Sequence, residues 1–455
     1  MSEVNMNMFR AYDVRGIFGE DLTVEVMLNI GRAFGTYMKR HDVTKVTVGG
    51  DVRASTNLLE NALVAGICAI GLDIELVEQS PLGVTLFNSF HKSYGASAFI
   101  TASHLPPEWN GVKFYWGEGI GFSPEQNQEV TKIFTDRDFD EVKAFDVGKI
   151  KVVDPFPEFI EYLKNKFNFS RTFKIAIDSG NGATSLVVPE LFKALGFEVI
   201  TLFAEPDPRF PNRPSEPNEE TLSQLADLVK SEDVDFGAGF DGDGDRCVFV
   251  DENGKVISSD AAGVLIAEYL LETGDNNRVL INMECSIAME NYLKEIGAEI
   301  TRIRVGHSFL SLEGKKLDAV WGVEASGHAI APKIFLFDDA LILPLLMASA
   351  LDHFGKTVSE LCERVTLPVK KRFDLKCSDD AKFKVVEELT TFFKSEEGET
   401  NDLDGVALTT DNGRILVRAS NTSPKVRATI ESMTQEGFDA LEAKYLDKIK
   451  SFIPS

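Results

Sequence analysis

The sequence predicts an α/β protein of four domains, three of one design followed by a smaller α+β domain. A threefold internal repeat carries that prediction, together with the spacing of its copies and a change of texture after Val365.

In the first copy, Lys45-Val46-Thr47-Val48 leads through Gly49-Gly50-Asp51 into a helix with Leu59, Leu63, Ile67 and Ile70 on one face, then Gly71, then Ile74-Glu75-Leu76-Val77. In the second, Phe173-Lys174-Ile175-Ala176-Ile177 leads through Asp178 to Gly182 into a helix carrying Val187, Leu191 and Leu195, then Gly196, then Val199 to Leu202. In the third, Val279-Leu280-Ile281 leads into a helix with Met289, Leu293 and Ile296, then Gly297, then Ile300 to Ile303. Each unit reads as strand, loop, amphipathic helix closed by glycine, and a second strand. The copies lie roughly 100 to 125 residues apart, close to the usual size of a domain. Beyond Leu367-Pro368, helical patterns at 381–394 and 438–453 flank antiparallel strands around Asn412-Gly413. The expected domains are 1–150, 151–253, 254–366 and 367–455.

The chain of 455 residues carries 47 Lys and Arg against 72 Asp and Glu, a net charge of −25. Such a field repels nucleic acid and anionic lipid, so neither is an expected partner. Any phosphate site must therefore concentrate its own cations. Cys68, Cys247, Cys285, Cys362 and Cys377 are odd in number and lack paired spacing, which argues for reduced thiols. No apolar run has the length of a signal peptide or a membrane span, so the expected location is the cytoplasm.

Five stretches carry chemistry-bearing side chains. Phe9 to Gly16 alternates aromatic and charged residues up to a glycine, the pattern of an edge strand running into a loop. Ala96 to Ile100 reads as a buried strand, and Pro106-Pro107 ends it, so Ser103 lies on a strand-end loop. Asn110-Gly111 is a hairpin signal, and the strand Val112 to Trp116 would bring Lys113 back towards Ser103. Ser103 beside His104, with a returning cation, suits a hydroxyl that carries a charged group. A turn serine bonding its own backbone fits the same residues.

Asp241-Gly242-Asp243-Gly244-Asp245-Arg246 lies between two strand patterns. Three carboxylates converge only around something positive, and a hard cation held by oxygens, Mg²⁺ before zinc, answers that need. A calcium loop is the rival, with Glu252 at its twelfth position, although Arg246 stands where such loops need glycine. Glu324, Ser326 and His328 offer donors and acceptors to neighbouring sugar hydroxyls, as an ordinary polar loop also would. Arg418 to Arg427 gathers two arginines, three hydroxyls and an amide, a composition suited to a phosphate dianion.

These motifs resemble those of the α-D-phosphohexomutase family, which includes phosphomannomutases, phosphoglucomutases and phosphoglucosamine mutases. The resemblance spans the chain, from Tyr12-Asp13-Val14-Arg15-Gly16 through Thr101-Ala102-Ser103-His104, the Asp241 to Arg246 loop and Glu324-Ala325-Ser326-Gly327-His328 to Arg418 to Arg427. It implies mixed sheets in the three related domains and four loops around a central cleft. It further implies an intramolecular phosphotransferase in which phosphorylated Ser103 exchanges phosphate with a hexose 1- or 6-phosphate, of mannose or glucose, through a hexose 1,6-bisphosphate. Mg²⁺ would lie between Ser103 and Asp241, Asp243 and Asp245, while Arg15, His104, Lys113 and His307 assist charge and proton movement.

Tyr12, Arg246, Glu324, Ser326 and His328 would face the sugar, and Arg418, Ser420, Asn421, Thr422 and Arg427 its distal phosphate. A phosphoglucosamine mutase is the rival within the family, and a non-catalytic, metal-dependent phosphosugar-binding protein or a phosphatase the rival outside it. Leu105 stands where most members have Asn, Val323 where glycine is usual, and Glu78 to Gly83 departs from the usual Pro-Thr-Pro. Glu284 occupies a region where many members carry lysine. The oligomeric state does not follow from the sequence.

Overall fold

A computed structural model describes residues 4–420 and 424–454. Six strands make the first sheet: β1 (Val14–Ile17), β2 (Lys45–Gly50), β3 (Asp73–Gln79), β4 (Ala96–Ile100), β5 (Trp109–Trp116) and β6 (Ile150–Val153), in the order β1-β5-β4-β2-β3-β6. The second holds β7 (Lys174–Asp178), β8 (Glu198–Leu202), β9 (Phe236–Phe240) and β10 (Cys247–Val250), ordered β10-β9-β7-β8. The third holds β11 (Arg278–Asn282), β12 (Glu299–Ile303), β13 (Trp321–Val323) and β14 (Ala329–Ile330), ordered β12-β11-β13-β14. In each sheet a parallel set ends in an antiparallel hairpin, β4–β5, β9–β10 or β13–β14. These are mixed sheets, and the repeat read from the sequence is their shared parallel part.

The fourth sheet is wholly antiparallel, with β15 (Val369–Lys376), β16 (Glu399–Asn401), β17 (Val406–Thr410), β18 (Gly413–Ala419) and β19 (Lys425–Ser432) in the order β15-β19-β18-β17-β16. Helices Asp379–Phe393 and Gln435–Ser451 pack Leu389, Phe393, Leu441 and Tyr445 onto it in a separate core. One large core, with Phe87, Phe159, Phe192, Leu265, Trp321 and Phe335 all buried, runs across the first three domains, and the first domain has a second core of its own around Phe34, Leu63, Ile67 and Phe114. None of the helices among the described residues is long and apolar enough to cross a membrane.

Two sequence expectations change in detail. Asn110-Gly111 is not a hairpin turn but lies inside β5, paired to Gly16 and Arg15 of the edge strand β1. The turn of the β4–β5 hairpin is the segment 101–108, which contains Ser103. Glycine at 111 answers a different need: a Cβ there would sit 2.0 Å from the Val14 carbonyl oxygen. Glu252, the proposed twelfth calcium ligand, accepts from the Ser359 backbone at 3.2 Å and is absent from the aspartate group, which removes the calcium-loop reading.

The glycines that close the three repeated helices all have left-handed backbone, with φ of 97° at Gly71, 87° at Gly196 and 94° at Gly297. A Cβ on Gly196 would touch nothing within 4 Å, whereas on Gly71 it would meet the Asp146 carbonyl oxygen at 2.9 Å. Gly196→Ala should therefore cost only the backbone term of about 1–2 kcal/mol, and Gly71→Ala more. Urea unfolding of both variants checks the order, and a stabilised Gly196→Ala would contradict it.

Candidate active site

Each ligand-bearing loop of the first three domains is the turn of that domain's antiparallel hairpin. In the first, Ser103 is fully buried and held at φ 49°, a left-handed conformation that costs a non-glycine residue about 1–2 kcal/mol. Thr101 and Arg53 hold it there. The Ser103 N–H donates to Thr101 Oγ1 at 2.8 Å, and its carbonyl accepts from Arg53 Nη2 at 2.8 Å. Arg53 also donates to the carbonyls of Leu105 at 2.7 Å, Pro106 at 2.6 Å and Trp109 at 3.0 Å, while its Nε reaches Asp51 Oδ2 at 3.1 Å. One buried guanidinium thus fixes the whole serine loop.

The Ser103 hydroxyl donates to Asp241 Oδ2 at 3.0 Å and lies 3.4 Å from His104 Nδ1. Asp241, Asp243 and Asp245 are at most 1% exposed, and an oxygen from each lies within 4.8 Å of the others. Burial, then Asp245 and Asp243, push the Asp241 carboxyl well above its ordinary range. Asp245 is held well below its range despite burial, by Lys113 and His328. Asp243 Oδ1 and Asp245 Oδ1 are buried without a hydrogen-bond partner. Three buried carboxylates with oxygens this close, and a serine hydroxyl beside them, fit a hard divalent cation.

Lys113 returns along β5 as expected, but to the aspartates: Nζ lies 3.1 Å from Asp243 Oδ2 and 2.5 Å from Asp245 Oδ2. Those partners outweigh its burial and keep it charged, so it acts as their counter-ion and makes no hydrogen bond to Ser103. Arg15 likewise has no bond to the serine. Its Nε donates to Asp13 Oδ2 at 2.6 Å, and Nη1 is buried without a partner. Arg246 first, then burial and Arg15, depress His104 to about 2, so its imidazole is neutral.

The third domain's hairpin carries Glu324, Ser326 and His328. Ser326 Oγ donates to Glu324 Oε2 at 3.2 Å and lies 2.8 Å from His328 Nδ1, while Glu324 Oε1 accepts from the Gly306 N–H at 2.7 Å. Although burial opposes it, Asp245 raises His328 to about 9. Arg246 Nε lies 3.2 Å from His328 Nε2 and could donate only to a neutral ring. The carboxylates of Asp245 at 3.4 Å and Glu324 at 3.3 Å outweigh it, so the ring is taken as protonated and that approach as a contact of like charges. His307 starts helix His307–Leu317, packs between the rings of Tyr12 and Tyr115, and has neither ring nitrogen bonded. Tyr12 Oη donates to the Val305 carbonyl at 3.1 Å, tying the first domain to the third.

From the fourth domain, Arg418 enters along β18. Its Nη1 donates to Glu284 Oε1 at 2.6 Å and its Nη2 to Asp404 Oδ2 at 2.7 Å. Ser420 is buried, and Arg427 Nε lies 3.7 Å from Asp374. Asn421 and Thr422 lie outside the described residues. A polar chain therefore runs from Ser103 through Asp241, Asp245, His328, Glu324 and the Gly306 segment to Arg418. A cavity of about 460 Å³ between the third and fourth domains, beside Arg302 and Arg414, contains none of the site's side chains.

The sequence matches four domain families in order: Phosphoglucomutase/phosphomannomutase alpha/beta/alpha domain I over residues 6–141, domain II over 157–254, domain III over 258–367, and the C-terminal domain over 374–448. The chain belongs to the phosphoglucomutase/phosphomannomutase family. It is an intramolecular phosphotransferase. A probable phosphoglucosamine mutase of Pyrococcus horikoshii is 34% identical over 98% of both chains. A phosphoglucomutase/phosphomannomutase of Thermococcus kodakarensis is 33% identical over 94% of this chain and 95% of its own. A crystal structure of a phosphoglucomutase/phosphomannomutase family protein from Burkholderia thailandensis superimposes with a TM-score of 0.90 at 26% identity, covering 99% of this chain and 98% of that one.

Sequence reasoning missed the residues through which this mutase holds its loops. Asp51 and Arg53 follow Gly49-Gly50 at the end of β2, and a glycine-flanked Asp-x-Arg there was the available signal. Asp404 carried no signal. Because Arg53 is, among the described residues, the only cation bonded to buried Asp51, Arg53→Met should destabilise the first domain by about 3–5 kcal/mol, the usual cost of breaking a buried pair. Arg53→Lys should recover part of that. A loss under about 1 kcal/mol for the methionine variant in urea unfolding would show that the loop holds itself.

Proposed function

We propose that this enzyme is a phosphohexomutase acting on a hexosamine phosphate, interconverting glucosamine 6-phosphate and glucosamine 1-phosphate through phosphorylated Ser103 and a 1,6-bisphosphate. The observation that carries the phosphotransfer is the Ser103 hydroxyl, 3.0 Å from Asp241 at the rim of three buried aspartates with two orphaned oxygens. The choice of sugar rests on relatives: proteins 34%, 33% and 32% identical over 98% of the chain are named probable phosphoglucosamine mutases. The T. kodakarensis relative supports a second reading, with glucose and mannose phosphates as substrates.

Mg²⁺ held by Asp241, Asp243, Asp245 and Ser103 would supply a Lewis acid at the transferring phosphoryl group. In the first half-reaction the bond between Ser103 Oγ and phosphorus breaks as a bond from the sugar oxygen to phosphorus forms, and the proton of that sugar hydroxyl passes to Ser103 Oγ. In the second, the other sugar oxygen–phosphorus bond of the bisphosphate breaks as the Ser103 Oγ–phosphorus bond forms again, and the serine proton passes to the sugar oxygen released. Arg15 and Arg246 would stabilise the anionic group, and the same two fields keep His104 neutral. A phosphate dianion on Ser103 would offset those fields and return the ring towards its ordinary value, giving it proton affinity when the charge is present. Lys113, paired to two aspartates, balances charge instead of moving protons. Glu324, Ser326 and His328 would orient the ring, with His307 beside it, and Tyr12 would close the cleft from the first domain. Arg418, Ser420 and Arg427, with Asn421 and Thr422, would hold the phosphate that is not reacting, in either orientation of the bisphosphate.

Turnover of glucosamine 6-phosphate, glucose 1-phosphate and mannose 1-phosphate, with added 1,6-bisphosphate, tests both parts. Ser103→Ala should abolish all three, and peptide mapping should place any covalent phosphate of the wild type on Ser103. Glucosamine 6-phosphate should be preferred by about tenfold or more in kcat/KM, some 1.4 kcal/mol of selectivity. Activity surviving in Ser103→Ala would overturn the phosphocarrier, and a preference for glucose or mannose phosphate would move the reading to the second.

A further inference from the structure

We infer that Glu284 is an internal rival of the substrate's distal phosphate, occupying Arg418 until a phosphate displaces it and so setting the affinity for phosphosugars. This rests on the proposed role of Arg418 as the phosphate-holding arginine.

An arginine grips phosphate through the two-pronged edge of its guanidinium. In Arg418 both prongs are taken, Nη1 by Glu284 Oε1 at 2.6 Å and Nη2 by Asp404 Oδ2 at 2.7 Å. The remaining nitrogen, Nε, is buried and has no hydrogen-bond partner among the described residues. Two carboxylates therefore stand where phosphate oxygens would, one from each side of the boundary between the third and fourth domains.

The two carboxylates are not equally fixed. Asp404 Oδ2 also accepts from the Val305 N–H at 2.8 Å, so moving it breaks a second bond. Glu284 is pinned by its backbone, whose N–H donates to Asn282 Oδ1 at 3.0 Å and whose carbonyl accepts from Lys370 Nζ at 2.9 Å. Its carboxylate has no partner but Arg418 among the described residues, and 20% of the side chain is exposed. Displacing Glu284 into water exposes one charge and frees one prong, which a phosphate oxygen then takes. The exchange of one anion for another on the same guanidinium costs affinity without changing the fold. All phosphosugars meet the same cost, because the contact involves only the phosphate.

Calorimetric binding of glucose 6-phosphate and of inorganic phosphate to wild type, Glu284→Gln, Glu284→Ala, Arg418→Ala and Glu284→Gln/Arg418→Ala tests this. Both single Glu284 variants should bind both ligands more tightly, by about tenfold, and lower KM without raising kcat. In the double variant the gain should vanish, since Glu284 acts only through Arg418. Unchanged or weaker binding by both Glu284 variants, with binding lost in Arg418→Ala, would make Glu284 a plain structural latch and overturn the inference alone. Wild-type binding by Arg418→Ala would overturn the role of Arg418, and the inference with it.

Discussion

Three carboxylates that water cannot reach set the terms for the rest of this molecule. Asp241, Asp243 and Asp245 follow one another at alternate positions on a single turn, and Lys113 is the one lysine within ion-pair distance of them among the described residues. Three buried carboxylates against one fully paired lysine can all stay charged only with further positive charge, since an uncompensated buried ion costs several kcal/mol. The neighbouring chain supplies part of it. Arg246 lies 3.7 Å from Asp245, and His328 is held protonated in the field of Asp245. Asp243 Oδ1 still has no hydrogen bond, and the aspartate cluster with the Ser103 hydroxyl beside it fits a metal ion.

Topology explains how loops so distant in sequence reach that place. In open α/β sheets the carboxyl ends of parallel strands leave a crevice to which loops can contribute. Here Asp51 follows β2, Ser103 follows β4, Asp241 follows β9 and Glu324 follows β13, each beyond the carboxyl end of its strand. The last three occupy the same position in three copies of one design, the turn into the antiparallel hairpin strand. A repeated fold has thus placed Ser103, the three aspartates and Glu324 at equivalent corners. The fourth domain contributes from an antiparallel sheet and meets the third through Arg418 with Glu284 and through Arg414, which donates to the carbonyls of Met283 and Cys285.

Much of this was legible in the sequence because hydrophobic period and glycine punctuation are local. The strand and helix patterns of the repeat, the strand–loop–strand setting of Asp241 to Arg246, and the elements of the α+β tail can each be read locally. What local patterns could not carry was partner choice. Asn110-Gly111 has the local signature of a turn, yet β1 pairs with it and makes it strand. Lys113 was expected beside Ser103, but the pull of Asp243 and Asp245, 130 and 132 residues away, decides where its charge goes. Arg53 had no periodicity to betray it, because its work is to gather carbonyls from a loop 50 residues later. Glu284 stood out only as a departure from a resemblance, and its partner Arg418 lies 134 residues on.

The central claim is that a divalent cation completes the charge balance of the aspartate loop and thereby holds Ser103 in place. Magnesium titrated calorimetrically into exhaustively chelated enzyme, alongside thermal unfolding of the same samples, measures it most directly. The account predicts saturable binding at a single class of site, a higher Tm with Mg²⁺, and loss of both in Asp243→Asn, whose orphaned oxygen would then be neutral. A chelated enzyme that neither binds Mg²⁺ nor gains stability from it, or an Asp243→Asn variant that binds as the wild type does, would contradict it.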